Sequence, residues 1–70
     1  MDICRQVGLN VRQTREEKGW SQEQLAFETR LHRTYISGIE RGIRNPTVKI
    51  VAKIATSLEV EPTELLKASA

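Results

Sequence analysis

Apolar positions along the chain recur at three- and four-residue intervals and nowhere alternate over a strand's length, so the pattern predicts helices throughout. Val7, Val11 and Thr14 share one stripe of a first helix that runs from an Asp2 N-cap to Lys18 and stops at Gly19. Ser21-Gln22-Glu23-Gln24 has capping-box form, with a serine at the N-cap and a glutamine three residues on; the helix it opens buries Leu25, Ala26 and Thr29 and ends near Thr29. A third helix starts around His32 and stops at Gly42, turning Ile36, Ile39 and Glu40 inward. Ile43-Arg44-Asn45-Pro46 reads as a loop, because the residue before a proline is pushed away from helical geometry. Thr47 caps a fourth helix whose Val48, Val51, Ile54, Ala55 and Leu58 form the most hydrophobic stripe of the chain. Pro62, at a first helical position after Glu61, opens a last turn or two with Glu64, Leu65 and Leu66, and the tail from Lys67 is expected to fray.

The fold class is therefore all-α, a single compact domain of five helices spanning residues 1–70, with no internal repeat or linker. The second and third helices are short and meet across a tight turn at Thr29 to His32. This is the layout of a helix-turn-helix, covering about residues 21–41.

Charge changes the picture from fold to function. Residues 30–53 carry six basic groups and one acidic group, between segments that are each slightly acidic, although the net charge is only +2. A cationic middle of this kind suits a polyanion. The single cysteine, Cys4, excludes an internal disulfide or a multi-thiolate zinc site and reads as a small apolar residue of the first helix. No apolar run approaches the roughly 20 residues that span a bilayer, and the N-terminus lacks a signal-peptide pattern, so the expected location is cytoplasmic with no membrane partner. No metal-ligand cluster, histidine-paired nucleophile or glycine-rich phosphate loop points to an enzyme, and no cofactor is expected.

In a helix-turn-helix the second helix enters the DNA major groove, where its N-terminal residues meet base edges. Arg33 and Thr34, in the first turn of the third helix and away from Ile36 and Ile39, are placed to read bases. Ser37 lies on the same edge, and Gly38 keeps that edge low for close approach. The Arg33 fork can grip guanine O6 and N7, worth about 1–3 kcal/mol of discrimination. Tyr35 either packs on the rim of the core or lies along the sugar-phosphate backbone, the second being favoured. Arg41, Arg44 and Asn45 flank the following loop as phosphate clamps, and Arg12 either reaches the backbone or is simply solvated.

The stretches VGLNVRQTREEKGWSQEQLA, RTYISGIERGIRNPT and VEPTELL, with a hydrophobic helix between the last two, resemble the Cro and phage-repressor type of domain, also called the xenobiotic-response-element family. RTYISGIERG and the small size also resemble the controller proteins of restriction-modification systems. The resemblance implies a lambda-repressor-like fold and a transcriptional regulator that binds a double-stranded DNA operator. It also implies that Gln22 contacts the DNA backbone and that Arg15 pairs with Glu40 across the first and third helices. The pattern is broken at Arg30 and Glu59, where glycine is usual, and at His32, where serine or threonine caps; His32 is left as a cap substitute or phosphate neighbour. A left-handed Arg30 would cost roughly 1–2 kcal/mol.

Domains of this type usually dimerise on roughly palindromic sites. The spare apolar residues Ile50, Val60, Pro62, Leu65 and Leu66 place the homodimer interface toward the C-terminus, about residues 60–67. Glu23 and Glu28 on the second helix are the candidates for an RNA polymerase contact. The alternative to a DNA regulator is a protein-binding module, such as an antitoxin or adaptor that keeps the fold.

Overall fold

The computed structural model describes residues 2–68, and Ser69 and Ala70, the end of the tail expected to fray, lie outside the described residues. The helices are α1 (Ile3–Glu17), α2 (Gln22–Thr29), α3 (Arg33–Glu40), α4 (Val48–Leu58) and α5 (Pro62–Leu66), with no strand among the described residues. Each of α1, α2 and α4 starts where a side-chain oxygen accepts a free amide of the first turn: Asp2 from Cys4, Ser21 from Gln24, Thr47 from Ile50. His32 stands at the N-cap of α3 with extended backbone, but its side chain makes no capping hydrogen bond, so it serves that end by conformation alone.

Val7 and Val11 of α1, Leu25 of α2, Ile36 and Ile39 of α3, and Val51, Ile54 and Leu58 of α4 close on one core. Val48 does not join its predicted stripe. It is 84% exposed, because the first residue of α4 projects past the helices that cover the later turns. Leu65 corrects a second expectation. Its side chain is 0% exposed and completes the core from α5, so it offers no surface to a second chain.

A buried polar residue without a sequence signal holds α5 in place. The Asn10 amide donates to the carbonyls of Leu65 (3.0 Å) and Lys67 (2.7 Å), while its oxygen accepts from Gln6 (3.1 Å). The end of α5 thus finds partners for carbonyls that its short helix leaves over.

Four helices end on a left-handed residue: at α3 it is Gly42 (φ 77°), with the Ile43 amide reaching back to Gly38, and the other three add an apolar contact. Gly19, Arg30 and Glu59 take left-handed φ values of 79°, 58° and 62°. The amide of the next residue then reaches back to the last turn: Trp20 to Arg15, Leu31 to Ala26, Val60 to Ala55. Trp20, Leu31 and Val60 each press a half-buried side chain on the core at that point. The closed carbonyls and the added apolar contact offset the strain at Arg30 and Glu59. They also give Val60 its role as a helix stop. Glu59 is further held by Lys18, Nζ to Oε1 at 2.6 Å, and the same ammonium lies 5.0 Å above the Trp20 ring.

α1 and α3 meet backbone to backbone. A Cβ on Gly8 would stand 2.3 Å from the Ile39 carbonyl oxygen and 2.8 Å from that of Glu40, so only glycine lets α3 lie this close.

Gly8→Ala is therefore expected to destabilise the fold by about 1–3 kcal/mol through overpacking, read as a lower midpoint in urea unfolding. Arg30→Gly should raise stability by about 1 kcal/mol, the relieved left-handed strain less the greater freedom of an unfolded glycine. The Lys18 hydrogen bond holds the Glu59 carboxyl below its usual range. Its contribution is present above the ordinary glutamate range and fades as pH falls through the lowered folded value. Glu59→Gln should remove that part of the acid limb of a stability-versus-pH curve.

Candidate nucleic-acid interface

The core fixes α3 through Ile36 and Ile39, 0% and 1% exposed, and these two positions decide which edge faces out. Arg33 and Thr34 are exposed on that outer edge and Ser37 is half-buried. The His32 carbonyl accepts the amides of Tyr35 and Ile36, both at 3.0 Å, so the first turn that carries Arg33 and Thr34 is closed. Tyr35 is half-buried and packs against the core cluster, as in the rim-packing alternative.

Beneath this edge lies a charge network. Arg15 grips Glu40 with two hydrogen bonds, Nε to Oε2 at 2.7 Å and Nη2 to Oε1 at 3.0 Å, and its Nη1 donates to the Trp20 carbonyl at 2.7 Å. Both residues are buried, so the fork geometry and the third acceptor compensate the loss of water. The Glu40 hydrogen bonds raise the Arg15 pKa against the opposing effect of desolvation. Glu40 Oε1 also accepts from the Gln22 side chain at 3.1 Å. The first residue of α2, expected only to face the DNA backbone, is thereby tied to the last residue of α3.

Glu40 is the one acidic residue between positions 30 and 53, and it is turned inward and neutralised. The six cations of that segment, Arg30, Arg33, Arg41, Arg44, Lys49 and Lys53, are all exposed, and none is in an ion pair among the described residues. Arg12, in contrast, bonds Glu16 on its own helix at 3.2 Å. The positive charge of this segment is thus left exposed, with Arg33 on α3, Arg30 and Arg41 at its two ends and Arg44 in the following loop beside the exposed Asn45, while Lys49 and Lys53 stand on α4.

Gly38 departs from its expected role. It is buried, and a Cβ on it would meet the Arg44 side chain, so its bare backbone faces the loop. The residues expected at a dimer interface also divide. Ile50 and Val60 are half-buried against the core, and only Pro62 and Leu66 stand at an open surface. There they join Ile3, Pro46, Val48 and Ala52 around an apolar groove of about 210 Å³. Ile3 and Val48 come to this patch as the first residues of α1 and α4, whose N-terminal ends meet α5 around the groove.

No group of three or more histidine, cysteine or acidic residues that could hold a metal occurs among the described residues, and no helix there is long and apolar enough to cross a membrane.

Fold and surface together define a helix-turn-helix protein, and the chain belongs to the helix-turn-helix family whose model matches residues 11–65. Among curated relatives, the control protein C.BamHI of Bacillus amyloliquefaciens is 55% identical over 60 residues, 84% of this chain and 74% of that protein. The HTH-type transcriptional regulator SlrR of Bacillus subtilis is 44% identical over 63 residues, 89% of this chain but 41% of its own length. The crystal structure of the restriction-modification controller protein C.AhdI from Aeromonas hydrophila superposes with a TM-score of 0.86 at 45% identity, covering 89% of this chain and 94% of that one. The controller protein C.Esp1396I, solved as a tetramer in complex with its natural 35 base-pair operator, gives 0.80 at 41% identity, with 93% and 96% covered.

Because Glu40 is the shared acceptor, Glu40→Ala leaves Arg15 buried without its anion. The expected loss is about 3–5 kcal/mol, checked by thermal and chemical unfolding.

Proposed function

We propose that the chain is a sequence-specific double-stranded DNA-binding regulator of transcription that acts as a homodimer on a roughly palindromic operator, in the cytoplasm, with restriction-modification genes as its targets. The observation that carries this reading is the outward α3 edge itself: Arg33 on it and Arg30, Arg41 and Arg44 next to it in the chain are exposed and in no ion pair among the described residues, while the acidic residue of α3 is internally neutralised. Arg33, Thr34 and Ser37 read bases in the major groove. Arg41, Arg44, Asn45 and Gln22 hold the phosphates, and the Tyr35 hydroxyl reaches the backbone from a ring braced on the core. The bond from Gln22 to Glu40 orients its amide, which supports the backbone role.

The dimer forms through the apolar groove, with Pro62, Leu66, Ile3 and Val48 of each copy. Ile50 and Val60 act there as support, and Leu65 acts from within the core. Helix-turn-helix dimers hold their two recognition helices about 34 Å apart, one turn of DNA, and that is the spacing a two-fold at this patch has to meet. Glu23 and Glu28, exposed on α2, offer RNA polymerase an acidic contact once the operator is occupied. The relatives named as control proteins and controller proteins support the restriction-modification setting.

Duplexes selected by the chain from random sequence supply the test, with affinities compared against unrelated DNA. Arg33→Ala should cut discrimination by about 1–3 kcal/mol while leaving nonspecific affinity nearly intact. Arg41→Ala should weaken both duplexes alike and lower the log–log salt slope by about 0.9. Equal losses on both duplexes for Arg33→Ala would refute base reading by that residue. In sedimentation, Leu66→Arg should shift the chain toward monomer, and an unchanged dimer would move the interface elsewhere.

A further inference from the structure

Gly38 sits inside α3, where glycine weakens a helix relative to alanine. Its backbone does not call for glycine, since the positive-φ glycines are Gly19 and Gly42. What does call for it is Arg44. A Cβ on Gly38 would stand 2.5 Å from Arg44 Cγ, 3.4 Å from Nε and 3.5 Å from Cδ. The arginine stem therefore lies lengthwise on the bare Cα. Cγ is the middle of that stem, and it can move only if the whole side chain swings to another rotamer. The Gly38 carbonyl accepts the amides of Ile43 (3.0 Å) and Arg44 (3.2 Å), which folds the loop back over the end of α3 and brings the Arg44 stem onto Gly38.

We propose that Gly38 is a positioning residue for DNA binding: its missing side chain is a track that lays the Arg44 guanidinium beside the Thr34 and Ser37 edge before DNA arrives, ready to hold a phosphate. The proposal rests on the DNA-binding reading above and adds to it the device that presets one of its clamps. A free arginine side chain loses rotamer freedom when it is immobilised on a ligand, and one already laid down loses less. The helix-weakening glycine is kept because alanine would evict the clamp.

Gly38→Ala, Arg44→Ala and the double variant, titrated with a selected operator and a random duplex over a range of salt, test this. Gly38→Ala is expected to keep or raise the melting temperature. It should lose affinity for both duplexes by the same factor as Arg44→Ala, on the order of tenfold, and lower the salt slope by about 0.9. The double variant should bind no more weakly than Arg44→Ala. Wild-type affinity and slope in Gly38→Ala would overturn the proposal. So would a double variant weaker than Arg44→Ala, because Gly38 would then be meeting DNA directly. If Gly38→Ala does not fold, the double variant, which has room for the new Cβ, should recover the fold, and failure to recover it would count against the packing. A wild-type chain that bound no duplex would instead overturn the DNA-binding reading. The Gly38-to-Arg44 side-chain proton contact, read by NMR in the free protein, would then test the packing separately.

Discussion

Glu40 takes hydrogen bonds from Arg15 on α1 and Gln22 on α2 while belonging to α3, so one carboxylate fixes the mutual placement of three helices. The rest of the interface depends on this. A helix of eight residues has little stability of its own in water. α3 keeps its rotation because Ile36 and Ile39 are sealed in the core, its axial position because Gly8 lets α1 touch its backbone, and its far end because Glu40 is held. The same contact removes from the surface the one acidic residue of the 30–53 segment, leaving the cations of that segment exposed. Structural anchoring and electrostatic sorting are thus two results of one buried pair.

The left-handed helix ends show how a chain this small stabilises its turns. Arg30 and Glu59 occupy a conformation that suits glycine, yet each stop closes backbone carbonyls and lays an apolar residue on the core. At Arg30 the non-glycine choice adds an exposed cation near α3. The apolar residues used up in these stops are unavailable for association. The groove of Ile3, Val48, Pro62 and Leu66 stays open instead, and Leu9, Phe27 and Ile43 are exposed elsewhere.

Helix positions were legible because caps are local: Asp2, Ser21 and Thr47 announce their helices with one side chain and the amides within reach of it. The inward and outward edges of α3 were legible from spacing. The resemblance to repressors pointed to the Arg15 and Glu40 pair, which no spacing rule would have found across 25 residues. Other features had no local signature. Asn10 is buried by carbonyls that arrive 55 and 57 residues later, and Gly8 and Gly38 are explained only by what lies opposite them. Leu65 and Leu66 are neighbours in sequence, and hydrophobicity alone did not tell which of them faces the core. In a helix of five residues, one step of 100° decides it.

The central claim is that the α3 edge enters the major groove at two half-sites. Methylation interference on a duplex selected by the protein tests it most directly, because dimethyl sulfate marks guanine N7 in the major groove and adenine N3 in the minor groove. The account predicts that binding is blocked by N7 methylation of guanines in two clusters about one helical turn apart. Interference at adenine N3 alone, or at a single cluster, would contradict it.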